Sequence, residues 1–102
     1  MSGSAPTPLS GFAFRVFGKV QGVHFRKYTK LEADKLGVVG WVENMADGSV
    51  RGEVQGPNAR VRDMNVWLRT KGSPASRIQR SIISDERDDL DAPTFESFEI
   101  HK

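Results

Sequence analysis

Twice along this 102-residue chain the hydrophobic period changes from two to about 3.6 across a glycine-bearing junction. The first change falls between Gly11–Phe17 and Phe25–Leu36, the second between Val50–Gln55 and Val61–Leu68. An alternating run fits a strand and a 3.6 period fits a helix, so each change marks a strand feeding a helix. In Gly11–Phe17, Phe12, Phe14 and Val16 fall on one face and Ala13, Arg15 and Phe17 on the other. Apolar residues on both faces predict a central strand. The helix over 25–36 carries Phe25, Tyr28, Thr29, Ala33 and Leu36 as its stripe, with Glu32 unexplained inside it and Gly37 placed to end it.

A second strand is predicted over Val38–Asn44 and a third over Val50–Gln55, joined through Asp47-Gly48, a hairpin signal. In the third, Val50, Gly52 and Val54 point inward and Arg51, Glu53 and Gln55 outward. Gly56-Pro57-Asn58 opens the second helix with a first-turn proline and a polar cap; Val61, Met64, Trp67 and Leu68 form its buried stripe and Gly72 ends it. Arg77–Ser84 reads as a fourth strand, and Asp85–Thr94, with five carboxylates, as a solvated loop without EF-hand spacing. Phe95–His101 closes the order with Phe98 and Ile100 inward. The predicted fold is α+β: a ferredoxin-like β-α-β-β-α-β sandwich with two helices on one face of a mostly antiparallel sheet, plus an extra C-terminal strand. Residues 1–10, small, polar and carrying Pro6 and Pro8, are expected to be a disordered tail, and 11–102 a single domain.

Composition narrows the chemistry. The chain has no cysteine, which removes thiolate nucleophiles and thiolate metal sites and fits a reducing compartment, so a cytoplasmic location is expected. A formal net charge of +2 calls for neither a nucleic-acid nor a membrane partner. No apolar run approaches the ~18 residues of a membrane helix.

The first junction, Gly18-Lys19-Val20-Gln21-Gly22-Val23-His24-Phe25-Arg26, carries the clearest chemical signal. A loop between a strand end and a helix start can aim several backbone N–H groups at one point, reinforced by the helix dipole. Glycine lets that backbone approach a ligand, and Arg26 adds a planar cation able to hold two oxygens. The stretch reads as an oxyanion cradle for a phosphoryl group. It is not a Walker A motif, which needs other glycine spacing and a Ser or Thr after its lysine. Lys19, Lys27 and Lys30 add a cationic neighbourhood.

This junction resembles the G-x-V-Q-G-V-x-F-R signature of the acylphosphatase family at every fixed position. Leu36-Gly37-Val38-Val39-Gly40-Trp41-Val42-Glu43-Asn44 is similar to the family's L-G-x-x-G-W-V-x-N block, and Asp47–Val50, Val54–Pro57, Ser73-Pro74 and Ser76–Ile78 also fit. The likeness runs from Phe12 to Ile100 and is strongest to the small single-domain animal enzymes. It departs at Met45, where threonine is frequent, and at His101-Lys102, where many members carry arginine and tyrosine.

The resemblance implies hydrolysis of acyl phosphates to carboxylate and phosphate. It places catalysis on Arg26 and Asn44 and phosphate binding on Gln21, Gly22, Val23, His24, Phe25 and Arg26. It implies no metal, no cofactor and no phosphoenzyme, a small-molecule acyl phosphate as partner, no obligatory protein partner and a monomer. His24 stands at an open position of the signature, so acid–base chemistry is not assigned to it. Two other classes share this fold. An RNA-binding sheet needs exposed aromatics, particularly on the third strand, whose outward residues are Arg51, Glu53 and Gln55. A catalytically silent anion-binding domain would keep the cradle but has no need of both Arg26 and Asn44.

Overall fold

The computed structural model describes residues 8–101. Its elements run β1 (Leu9–Lys19), α1 (Phe25–Leu36), β2 (Val39–Asn44), β3 (Val50–Pro57), α2 (Asn58–Thr70), β4 (Arg77–Leu90) and β5 (Phe98–His101). The five strands form one sheet in the order β4-β1-β3-β2-β5. All pairings are antiparallel except β2 with β5, which is parallel. The α+β, ferredoxin-like expectation is met, and β1 is central as predicted.

The core lies between the sheet and the two helices. Phe12, Phe14 and Val16 from β1, Val42 from β2, Val50 and Val54 from β3, and Phe98 from β5 meet Phe25 and Ala33 of α1 and Val61, Met64, Trp67 and Leu68 of α2. Phe25 and Trp67 pack across the helix pair with ring centroids 5.8 Å apart. Helix α1 ends at Gly37, which takes φ 75° and donates its N–H to the carbonyl of Asp34. Within its stripe Thr29 is buried because its hydroxyl returns a hydrogen bond to the Phe25 carbonyl. Tyr28 is exposed, and Glu32 sits at the half-buried rim.

Several expected boundaries move, and each has a local cause. Of the expected tail, Leu9 and Ser10 belong to β1, held by Pro57 and Gly56 of β3 on one side and, at Leu9, by Leu90 of β4 on the other; the rest of the tail expectation, apart from Pro8, lies outside the described residues. The acidic stretch is not wholly a loop. Asp85–Leu90 continues β4, pairing Arg87 with Gly11 and Leu90 with Leu9 through register shifts, with Asp85 at φ 50°. Asp85 to Asp89 are all exposed, so both faces of this end of the edge strand lie in water; a charge run that reads as a loop is then compatible with pairing, and charges on an edge strand discourage edge-to-edge association.

Pro57 is the N-cap of α2 rather than its first-turn residue, and Asn58 is helical without a side-chain cap bond. Gln55 is buried, not outward-facing in water, because Thr94 folds over it: the Thr94 N–H donates to Gln55 Oε1 at 2.7 Å. Ile100 is half-exposed instead of inward, while Phe98 is buried as expected.

The face of the sheet away from the helices carries two aromatics, Phe17 and Trp41, and both are occupied. Arg15 and Arg80 lie over the Phe17 ring at 5.2 and 4.7 Å. Arg51 lies over Trp41 at 5.7 Å, and His101 stacks on Trp41 at 5.1 Å. These rings are already engaged by side chains rather than open as stacking platforms.

Gly40 has the most demanding backbone in β2. It has φ 143°, and a Cβ there would stand 1.9 Å from the Glu53 carbonyl oxygen of the neighbouring strand. Gly40→Ala is therefore expected to cost at least about 2 kcal/mol through forced φ and ladder displacement. Urea unfolding measures this; a change under about 0.5 kcal/mol, the range of ordinary surface substitutions, would show that β2 and β3 can part without penalty.

Candidate active site

Strand β1 ends at Lys19, and α1 begins at Phe25. The five residues between them make the cradle. Val20 and Val23 turn their side chains into the core and anchor it from below. Gly22 takes φ 74° and His24 φ 59°, so the chain turns twice through the left-handed region before the helix starts. A Cβ on Gly22 would meet nothing within 4 Å, so this glycine is required by conformation and faces open space.

His24 is the N-cap of α1, with no side-chain cap bond, and α1 has no acidic residue in its first turn. Among the described residues, no backbone N–H from Gln21 to Arg26 donates to a protein acceptor, whereas Val20 N–H bonds the Gly18 carbonyl and Tyr28 N–H the His24 carbonyl. A run of free N–H groups at a helix start is the electrostatic requirement for holding an anion.

Val20, Gln21, Gly22, His24, Phe25, Arg26, Lys27, Asn44 and Ile100 surround one concavity of about 270 Å³. Arg26 from the first turn of α1 and Asn44 from the last residue of β2 thus share it. Val23, expected to bind phosphate, is absent from the lining, and its side chain is buried. Of the three neighbouring lysines, Lys27 reaches the concavity. Lys30 turns instead to the Phe98 carbonyl at 2.8 Å and the Asp34 carboxylate at 3.0 Å, and Lys19 is not among the lining residues.

The Arg26 guanidinium is steadied from the end of β5: its Nη1 donates to the His101 carbonyl oxygen at 3.0 Å. The contact is to a backbone atom, so the side chain at that position need not be arginine. His101 is itself placed by stacking on Trp41. Ile100 supplies the apolar wall beside it.

On the other side of the concavity, the β2–β3 turn is tied down by polar contacts. Asp47 Oδ1 accepts from the Ser49 hydroxyl and the Ser49 N–H, and Arg15 of β1 reaches both Asp47 Oδ2 at 2.6 Å and Ser49 Oγ at 3.0 Å. The Ser49 hydroxyl and N–H, with the nearby Arg15 cation, hold the Asp47 carboxyl below the ordinary carboxylate range. The side chain of Gln21 joins this turn as well, donating to the carbonyls of Met45 and Ser49. Sequence patterning names Gln21 for its backbone and passes over Arg15 and Ser49. The signal available for them is the Asp-Gly-Ser turn, whose capping bonds are local, but the partner on β1 is set by the sheet. Among the described residues, no group of three or more metal-ligating His, Cys, Asp or Glu side chains occurs, and no helix is long and apolar enough to cross a membrane.

Fold and site together define a ferredoxin-like α+β protein with a concavity at the junction of β1 and α1 that Arg26, Lys27 and Asn44 help to line. The acylphosphatase family model matches residues 12–100. An acylphosphatase-2 from Anas platyrhynchos is 54% identical over 86 residues, covering 84% of each chain. An acylphosphatase-1 from Gallus gallus is 51% identical over 94 residues, 92% of this chain and 94% of its own. The crystal structure of an acylphosphatase from Bacillus subtilis superposes with a TM-score of 0.81 at 31% identity, covering 91% of this chain and 99% of that one. The chain belongs to the acylphosphatase family.

Proposed function

We propose that this protein is a hydrolase of acyl phosphates, mixed anhydrides of a carboxylic acid and phosphoric acid, and that it works without a metal. What supports the reading is the shared concavity: Gln21, Gly22, His24, Phe25, Arg26 and Asn44 line one volume, and among the described residues no backbone N–H from Gln21 to Arg26 has a protein acceptor. The N–H groups would receive the phosphoryl oxygens, and Arg26 would pair with the charge that grows on them in the transition state. Asn44, a neutral donor and acceptor, would fix the attacking water on the side away from the leaving group.

The water oxygen bonds to phosphorus as the bond from phosphorus to the acyl oxygen breaks. The carboxylate leaves with the electron pair, and the proton of the water passes to a phosphate oxygen of the substrate. No protein base is needed, because the carboxylate is a stable leaving group. His24, exposed and without a side-chain cap bond, has no assigned step. The residues involved come from one chain, and a monomeric cytoplasmic enzyme acting on a small molecule is the state proposed.

Benzoyl phosphate hydrolysis in excess EDTA tests the reading. The expected result is turnover that EDTA leaves unchanged. Turnover abolished by EDTA would reject the metal-free chemistry. An absence of turnover, with inorganic phosphate still bound, would identify a non-catalytic anion-binding domain.

A further inference from the structure

We propose that the Gln21 side chain is a positioning residue that sets the distance between the phosphate cradle and Asn44; the inference rests on the acyl phosphate reading above. Its Nε2 carries two hydrogens, and both are used across the concavity: one goes to the Met45 carbonyl at 2.7 Å, the other to the Ser49 carbonyl at 2.9 Å. Met45 directly follows Asn44 in the chain. Ser49 closes the same turn, accepting from the Met45 N–H at 2.8 Å.

The sheet explains why such a link matters. The cradle grows out of β1, and Asn44 ends β2, but β3 lies between these two strands. No ladder hydrogen bond therefore joins the element that holds the phosphoryl group to the element that orients the water. Their spacing is relayed through β3 and through whatever crosses directly. Gln21 crosses directly, from inside the cradle to the backbone on either side of the turn that follows Asn44. Arg15 braces the far side of that turn through Asp47 and Ser49. In-line attack tolerates little displacement: a misplacement of about 1 Å costs on the order of 10²-fold in rate. An amide is suited to this post. It meets two carbonyl oxygens with two donors, where a glutamate would oppose them with a carboxylate and a methionine would offer no donor.

The test is a double-mutant cycle on the full chain, with benzoyl phosphate turnover, inhibition by inorganic phosphate and the NMR signals of the Asn44 side-chain amide as readouts. Gln21→Met should lower kcat at least about tenfold while leaving the phosphate inhibition constant within roughly threefold, a loss confined to the transition state. It should also shift the Asn44 amide signals. In the Asn44→Ala background the same substitution should cost less than about twofold, because its effect passes through Asn44.

An unchanged kcat would overturn the proposal. So would a parallel fall in kcat and phosphate affinity, which would place the effect in the cradle, or losses that multiply in the double variant. If Gln21→Met does not fold, Gln21→Asn, which keeps the amide but shortens its reach, enters the same cycle with the same expectations. If the unsubstituted protein shows no turnover, the acyl phosphate reading fails by itself. The Asn44 signals then decide the strut: a shift in the variant supports it and an unmoved signal overturns it.

Discussion

Arg26→Gln is expected to lower turnover of benzoyl phosphate by roughly 10²–10⁵, the range for arginines that meet charge in phosphoryl transfer. Glutamine can still reach toward the His101 carbonyl but carries no charge and cannot grip two oxygens as a fork. Phosphate binding should weaken as well, since the proposed mechanism pairs Arg26 with the bound group as well as with the transition state. The fold should barely register the change. Arg26 lies at the start of α1, partly exposed, and among the described residues its one side-chain bond is to His101; such surface sites usually change stability by no more than about 0.5 kcal/mol. A rate loss below tenfold, about 1.4 kcal/mol, would show that Arg26 is not the phosphoryl anchor. Unfolding measured beside kinetics separates a catalytic loss from a structural one.

Asn44→Ala is the second large effect, and its signature differs. Turnover should fall on the order of 10²–10³, as when one preorganised polar group is removed from a transition state, while the inhibition constant for inorganic phosphate stays within roughly threefold. The reason is positional. Asn44 lines the concavity from the end of β2, an element separate from the β1–α1 junction, so removing its amide should leave the N–H groups from Gln21 to Arg26 in place. Asn44 is also exposed, so little packing is lost. A large rise in the phosphate inhibition constant would reassign it from the water to the phosphoryl group.

These two outcomes, taken together, separate binding from orientation. Loss of both rate and phosphate affinity at position 26, against loss of rate alone at 44, is the pattern expected when one residue holds the group and the other directs the nucleophile. Equal behaviour at both positions would mean that they act on the same oxygen atoms, and the proposed division of labour would have to be abandoned.

The local rules read well wherever one residue decides one conformation. Gly37 ends α1 because it alone takes the left-handed turn without strain. Asp47-Gly48 turns the chain between β2 and β3, and the change of period at Gly18–Phe25 marks a strand feeding a helix. The element order, the fold class and the pairing of a glycine-bearing loop with Arg26 were all legible for this reason. The charged residues of 85–90 misled, because an edge strand that runs with both faces in water needs no apolar alternation. Ile100 misled in the opposite sense: its period suits burial, but its place on β5 beside the cradle leaves it as the wall of the concavity. Gln55 appeared outward by alternation, and the chain from 91 to 97 returned to cover it.

What the sequence by itself determined is the set of parts: strands, helices, the turns between them, and the chemistry available at Gln21–Arg26 and Asn44. Tertiary structure alone decided their relation. The fold brings Arg26 and Asn44 to one volume although 17 residues intervene in the chain and, in the order β4-β1-β3-β2-β5, β3 stands between the strand that leads into α1 and the strand that ends at Asn44. It also gives Arg26 a backbone carbonyl from His101, Gln21 two carbonyls from the turn after Asn44, and Asp47 a cation from β1. Such contacts depend on which strands become neighbours, and that choice is made by the burial of the whole sheet against both helices rather than by any residue's own preference.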